Sequence, residues 1–207
     1  MAHVAVTDLP PLVLASGSPR RRALLGELGW RFSVAPADVD ETIFADEGPE
    51  GAARRLAEAK AAAGARSFPG ELVLGADTLV ALEDQILGKP RDREDAVRML
   101  SLLQGREHRV VTGVALKWGS RKCSAVEVTR VRFRALDADA VRAYAATGEG
   151  DDKAGAYAIQ GCGALLVEGI EGCYFNVVGL PLVRVSALLG AWGVSLTRQW
   201  HPGGDGA

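Results

Sequence analysis

The densest chemistry in the chain lies in Ala15-Ser16-Gly17-Ser18-Pro19-Arg20-Arg21-Arg22, where small residues run directly into three guanidinium groups. Gly17 lets the backbone come close to a ligand, Ser16 and Ser18 offer hydroxyl donors, and arginine forks match phosphate oxygens two at a time. A helix starting at Pro19 would add its free N–H groups and its dipole to such an anion site. The same residues also suit an ordinary Ser-Pro helix cap followed by solvated arginines. The spacing is neither GxxxxGK[ST] nor GxGxxG, so neither the Walker loop nor the dinucleotide-binding loop applies.

Carboxylates form the second signal. Asp77 follows the apolar run Leu72-Val73-Leu74 through Gly75-Ala76, where an open α/β sheet presents its ligand groups. There it could bind a divalent metal, take a proton from water, or serve as a turn or cap residue. Asp40 and Glu41 form an acidic pair on a loop. Two carboxylates converging from separate segments would suit Mg²⁺ or Mn²⁺, which prefer oxygen ligands and substrate phosphates. Three lysines stand where a phosphate could be reached: Lys60, Lys89 in Gly88-Lys89-Pro90, and Lys153 in Asp152-Lys153-Ala154-Gly155. His3, His108 and His201 show no metal-ligand spacing and no Ser/His/Asp order, so a serine-nucleophile hydrolase lacks support.

These groups need a scaffold. The run from Leu12 to Ala15 predicts a short buried strand, and Ser18-Pro19 predicts the start of a helix that ends at Gly29. Arg31 to Ala35 predicts a strand ahead of the acidic loop, and the Ala-rich run from Pro49 to about Gly64 predicts a helix with Lys60 in its last turns. Glu71 to Gly75 predicts a second buried strand that delivers Asp77 and Thr78 at its end, with a separate edge-like segment from Leu79 to Leu82. A helix capped by Asp92 follows, running to Leu103. Alternating β-branched residues over Val110 to Trp118 and Val126 to Phe133 predict a long antiparallel hairpin. A short helix from Asp137 to Thr147, a Gly/Asp loop to Gly155, a strand from Ala164 to Val167 and a last helix from Gly179 to about Trp192 complete the chain. Helices alternating with strands, plus one hairpin, give an α/β fold with a mixed sheet.

Composition bounds the function. The 207 residues, 48% of them hydrophobic, suffice for one compact domain or two small lobes. Lys and Arg at 24 against Asp and Glu at 26 leave a formal charge of -2, without the basic excess of a duplex-binding protein. Only 6% aromatic content disfavours a single-stranded nucleic-acid module. Cys123, Cys162 and Cys173 form no CxxC pair and read as reduced, buried small side chains. No run approaches the length of a membrane span and no leader pattern precedes Leu12, which makes a cytoplasmic protein the expectation.

The motifs in their order resemble the Maf family of nucleoside triphosphate pyrophosphatases. They are LVLASGSPRRRALLGELG, VDET at Val39 to Thr42, LAEAKA around Lys60, LGADT at Leu74 to Thr78, LGKPRD at Leu87 to Asp92, DKAGAYAIQG at Asp152 to Gly161, and NVVGLPL at Asn176 to Leu182. The resemblance runs from Leu12 to Leu189. It implies a two-lobed α/β fold with a mixed sheet and a central cleft, related to inosine triphosphate pyrophosphatases. The single domain would span residues 12–197, after an N-terminal extension at 1–11 and before a flexible tail at 198–207. The implied reaction splits a nucleoside triphosphate between its α and β phosphates with the help of Mg²⁺ or Mn²⁺.

By the same resemblance Asp77 is the proton acceptor and a metal ligand, and Glu41 is the second metal ligand. Ser16, Arg20, Arg21, Lys60, Lys89 and Lys153 would surround the substrate. Arg20, Thr78 and Gln160 match the positions associated with base choice, and the form DKAGAYAIQG resembles the dTTP/UTP-preferring branch. Ala158 stands where glycine is frequent. The competing readings are the branch acting on methylated GTP and a non-catalytic nucleotide-binding regulator of septum formation; the presence of Asp77 and Glu41 together favours an enzyme. A homodimer is a further expectation, with neither nucleic acid nor membrane as partner.

Overall fold

The computed structural model describes residues 11–44 and 46–200. Strands β1 (Leu12–Leu14), β2 (Phe32–Val34), β3 (Leu72–Leu82), β4 (Gln85–Leu87), β5 (Glu107–Trp118), β6 (Arg121–Phe133) and β7 (Val167–Glu171) form one mixed sheet. Its order is β2-β1-β3-β5-β6-β7, with β4 paired to β3. Helices α1 (Pro19–Glu27), α2 (Pro49–Ser67), α3 (Arg93–Leu103), α4 (Ala138–Ala146), α5 (Tyr174–Val178), α6 (Leu182–Ala191) and α7 (Leu196–Trp200) pack around it.

The central strand β3 determines where the site lies. One of its edges is paired with β5 from Val73 to Ala81. The other edge is divided: β1 runs parallel to it at Leu72, Val73 and Leu74, and β4 runs antiparallel at Val80, Ala81 and Leu82. Residues 75–79 between these two pairings face a gap in the sheet. The expected break after Gly75 does not occur, because β5 supplies a continuous partner that carries the polar pair Asp77-Thr78 through the strand. Asp77 therefore sits within β3 and not at its end.

Alternation along β3 sorts its side chains between two faces. Val73 and Leu79 pack with the residues of the α2 side, Ala52, Ala53 and Ala65 among them. Leu72, Leu74 and Ala76 join Leu24, Leu25, Val178, Leu180 and Leu189 on the opposite face. Val80 and Leu82 join a separate cluster with Met99, Leu100, Val141 and Tyr144. Two hydrophobic clusters thus lie on that one face and approach each other near residues 76–80.

Helix α2 lies unusually close to the sheet because two glycines face it. A methyl group at Gly75 would come 2.2 Å from the carbonyl oxygen of Ala57, and one at Gly113 would come 2.1 Å from that of Ala53. Alanines at 52, 53, 57 and 61 complete the close contact. The helix also continues through Gly64, its expected end, to Ser67.

Other boundaries differ from expectation for identifiable reasons. The predicted strand from Ala164 to Val167 is instead a short 3-10 turn, Gly161–Leu165, followed by β7. The predicted last helix starts at Leu182 and not at Gly179, because Gly179 at φ +124° and Pro181 stand ahead of it, and a separate short helix, α5, precedes that turn. Residue 198, taken as the start of a tail, lies inside α7. There Trp30 Nε1 donates to the Gln199 carbonyl at 2.9 Å, and the Gln199 side chain is buried. Residues 1–10 of the expected extension and 201–207 of the expected tail lie outside the described residues. Cys162 is exposed and Cys123 and Cys173 are half-buried, so the thiols are free but not core residues. Among the described residues no helix is long and apolar enough to cross a membrane.

The close approach of α2 leads to a test. Gly113→Ala should cost about 1–3 kcal/mol of stability by overpacking. Its melting temperature should fall, whereas alanine at Gly190, an exposed position of α6 with open space around it, should not lower it.

Candidate active site

A cleft of about 780 Å³ opens where β3 lacks a neighbour. Ser16, Arg20, Arg21, Glu41, Lys60, Asp77, Thr78, Lys89, Lys153 and Gln160 all line it. Residues scattered over 145 positions of sequence thus meet in one space.

On the α2 side of β3, Asp77 faces Lys60. Lys60 Nζ lies 2.5 Å from Asp77 Oδ1 and 2.6 Å from Glu41 Oε1. Lys60 and Asp77 are buried, whereas Glu41 is half open to solvent. Burial alone would raise the Glu41 carboxyl, but the Lys60 hydrogen bond and the charges of Lys60, Lys89 and Arg21 hold it below the usual range. Asp40, its neighbour, turns away: its carboxylate accepts from the Thr42 backbone and hydroxyl.

On the opposite face, Arg21 ties three segments together. Its Nε donates to the Gly179 carbonyl at 2.8 Å, Nη1 to Ser16 Oγ and the Ala76 carbonyl at 2.9 Å each, and Nη2 to Thr78 Oγ1 at 3.0 Å. Ala76 belongs to the unpaired edge, so a side chain replaces the missing strand there. With four of its five N–H groups engaged, Arg21 is chiefly a clasp for the walls of the cleft. Burial lowers its pKa, with Asp77 acting in the opposite direction.

The α1 loop has the expected local form. Ser18 caps α1 with Pro19 in its first turn, and Ser16 Oγ accepts from the Ser18 N–H at 3.3 Å. Arg20 donates through Nε to the Val178 carbonyl at 3.2 Å, and its Nη1 lies 3.8 Å from Asp152. Burial lowers the Arg20 pKa, partly offset by Asp152. Lys153 donates to the Glu149 carbonyl at 2.6 Å and also meets Asp152. Lys89 lines the cleft from an exposed position after β4.

Several contributing residues carry no motif of their own. Tyr157 lines the cleft with its hydroxyl 2.8 Å from His108 Nε2. The Tyr144 hydroxyl accepts from the Ala158 N–H at 3.1 Å, and Glu149 accepts from the N–H groups of Cys162 and Gly163. Together they pin the backbone on both sides of Gln160. Thr112 lies opposite Thr78 and Asn176 behind it. Only the folded arrangement shows these partnerships, although the motifs NVVGLPL and DKAGAYAIQG contain Asn176 and Tyr157.

The sequence joins this chain to known proteins. Residues 11–192 match the family model described as "Maf-like protein", and the chain belongs to that family. It is 55% identical over 189 residues to a dTTP/UTP pyrophosphatase of Myxococcus xanthus, covering 91% of this chain and 96% of that one. It is 54% identical over 187 residues to a dTTP/UTP pyrophosphatase of Moorella thermoacetica, covering 89% and 96%. Among solved structures, the Ham1 protein of Staphylococcus aureus aligns at TM-score 0.44 and 15% identity, over 59% of this chain and 71% of that one.

His108 provides a prediction from this wall of the cleft. Burial lowers its pKa from 6.5 to about 4, so the folded protein holds it neutral while the unfolded chain protonates it below 6.5. Its contribution is intact above about pH 6.5 and lost progressively as the pH falls towards 4, reaching about 3 kcal/mol at 1.36 kcal/mol per unit. Denaturant unfolding of His108→Gln should therefore lose less stability than wild type between pH 7 and 4. Equal losses would refute the assignment.

Proposed function

We propose that the protein hydrolyses dTTP and UTP to the monophosphate and pyrophosphate. The observation that carries this reading is Asp77, whose carboxylate stands in the gap of the sheet with Oδ1 held by Lys60 and with Lys89, Arg20 and Lys153 around the same cleft. Its curated relatives carry that activity in their names.

Lys60 fixes the Asp77 carboxylate through Oδ1 and leaves Oδ2 to accept a proton from water. The water oxygen then bonds to the α phosphorus, the bond from that phosphorus to the α–β bridging oxygen breaks, and pyrophosphate leaves with the electron pair. Lys89, Lys153 and Arg20 neutralise the triphosphate and the charge that grows on the leaving group. Asp152 lies beside Arg20 and Lys153, so incoming phosphate oxygens compete with a carboxylate for these cations. Thr78 and Gln160, which also line the cleft, are the residues we assign to the base.

A divalent ion fits the donor set. Glu41 and Asp77 converge on one position, which the Lys60 ammonium occupies at 2.6 and 2.5 Å. Among the described residues no group of three or more His, Cys, Asp or Glu side chains converges. A pair of carboxylates such as Glu41 and Asp77 suits Mg²⁺ or Mn²⁺, with substrate phosphates and water completing the shell. Such an ion supplies charge withdrawal from phosphate oxygens and a more acidic water.

Pyrophosphate release from dTTP, UTP, CTP and 7-methyl-GTP with Mg²⁺ or Mn²⁺ tests the reading. Turnover should favour dTTP and UTP, and Asp77→Asn should lose about 10²- to 10⁴-fold in kcat while remaining folded. An Asp77→Asn protein retaining more than about a tenth of wild-type kcat would contradict the role of the base.

A further inference from the structure

Behind Thr78 a chain of hydrogen bonds enters the sheet, and its direction can be worked out atom by atom. Thr112, the cross-strand partner of Thr78, is fully buried. Its hydroxyl oxygen lies 3.2 Å from the Asn176 carbonyl and 2.9 Å from Thr78 Oγ1. A hydroxyl has one proton and two lone pairs. The Asn176 carbonyl can only accept, so its bond with the Thr112 hydroxyl uses the Thr112 proton. Thr112 can then only accept from Thr78.

The outer side of Thr78 is constrained as well. Arg21 Nη2, 3.0 Å away, can only donate. With its proton turned towards Thr112 and one lone pair taken by Arg21, Thr78 offers the cleft a single lone pair. The Gly179 carbonyl is a poor alternative for the proton, since it lies 3.5 Å away and already accepts from Arg21.

Gln160 lacks such a constraint. It is exposed, and its side chain makes no capping bond to the turn it begins. An amide that can turn over presents either its oxygen or its NH₂ group. It can thus meet uracil, with its N3–H and O4, as readily as cytosine, with its bare N3 and 4-amino group. A hydroxyl that can only accept separates the two: it receives the N3–H of uracil or thymine and opposes the N3 lone pair of cytosine.

We propose that Thr112, acting through Thr78, sets the preference of this site for pyrimidines bearing an N3 proton over cytosine. The proposal rests on the dTTP/UTP reading above. Thr112 is a positioning residue, too deeply buried to touch the nucleotide. It differs from the residues matched to base choice by the family resemblance because it acts on the direction of a proton.

The test is the ratio of kcat/KM for UTP to that for CTP in wild type, Thr112→Val and Thr112→Ser. Valine keeps the shape of threonine but cannot accept, so the Thr78 proton becomes free to turn towards the cleft. The ratio should fall by about tenfold or more in Thr112→Val and stay near the wild-type value in Thr112→Ser. A Thr112→Val protein with an unchanged ratio would overturn the proposal, as would an equal fall in both variants, which would show a packing effect. Should Thr112→Val fail to fold, Thr112→Cys, whose thiol is a weak donor and acceptor, is judged by the same criterion. A wild-type protein that turns over neither nucleotide would instead overturn the functional reading on which the proposal rests.

Discussion

Burying an ammonium group costs several kcal/mol unless carboxylates surround it, and Lys60 meets two. Asp77 reaches it from β3 and Glu41 from the loop after β2. This contact requires α2 to lie against the sheet at backbone distance, which Gly75 and Gly113 permit. Larger residues at those positions would lift the helix and separate the ammonium from the carboxylate. The same contact leaves one oxygen of Asp77 for water and marks the place where a divalent ion and phosphates would compete with Lys60.

The gap in the sheet gives this arrangement its access. A strand buried on both faces and paired on both edges could not expose Asp77 and Thr78 to a common space, because neighbouring side chains point to opposite faces. On β3 the free edge at residues 75–79 lets one cleft reach both. Arg21 spans the opening, and its bonds to Ser16, Ala76, Thr78 and Gly179 replace strand pairing without filling the cleft. Asp77 with Lys60 thus lies on one face of the strand and Thr78 with Arg21 on the other, joined across a single backbone.

Much of this was legible in the sequence. The α/β class, the hairpin and most helices follow from periodicity and caps, and all ten residues singled out for the site line the cleft. Asp77 was misplaced at a strand end because a polar pair in an apolar run looks like a terminus; the compensating partner, β5, lies more than thirty residues further along. Thr112 was invisible for a related reason. A threonine in an alternating strand suits any sheet, and only its register opposite Thr78 ties it to the cleft. Arg21 read as a phosphate-binding fork, yet its partners come from segments up to 158 residues away, and composition carries no trace of them. The exposed Cys162 shows the same limit, since the 3-10 turn that brings it to the surface has no pattern of its own.

In the proposed reaction, water held by Asp77 attacks the α phosphorus. Hydrolysis of UTP in ¹⁸O-labelled water, followed by mass spectrometry of both products, tests it directly. One labelled oxygen should appear in the monophosphate and none in pyrophosphate; label in pyrophosphate would place the attack on the β phosphorus and contradict this mechanism.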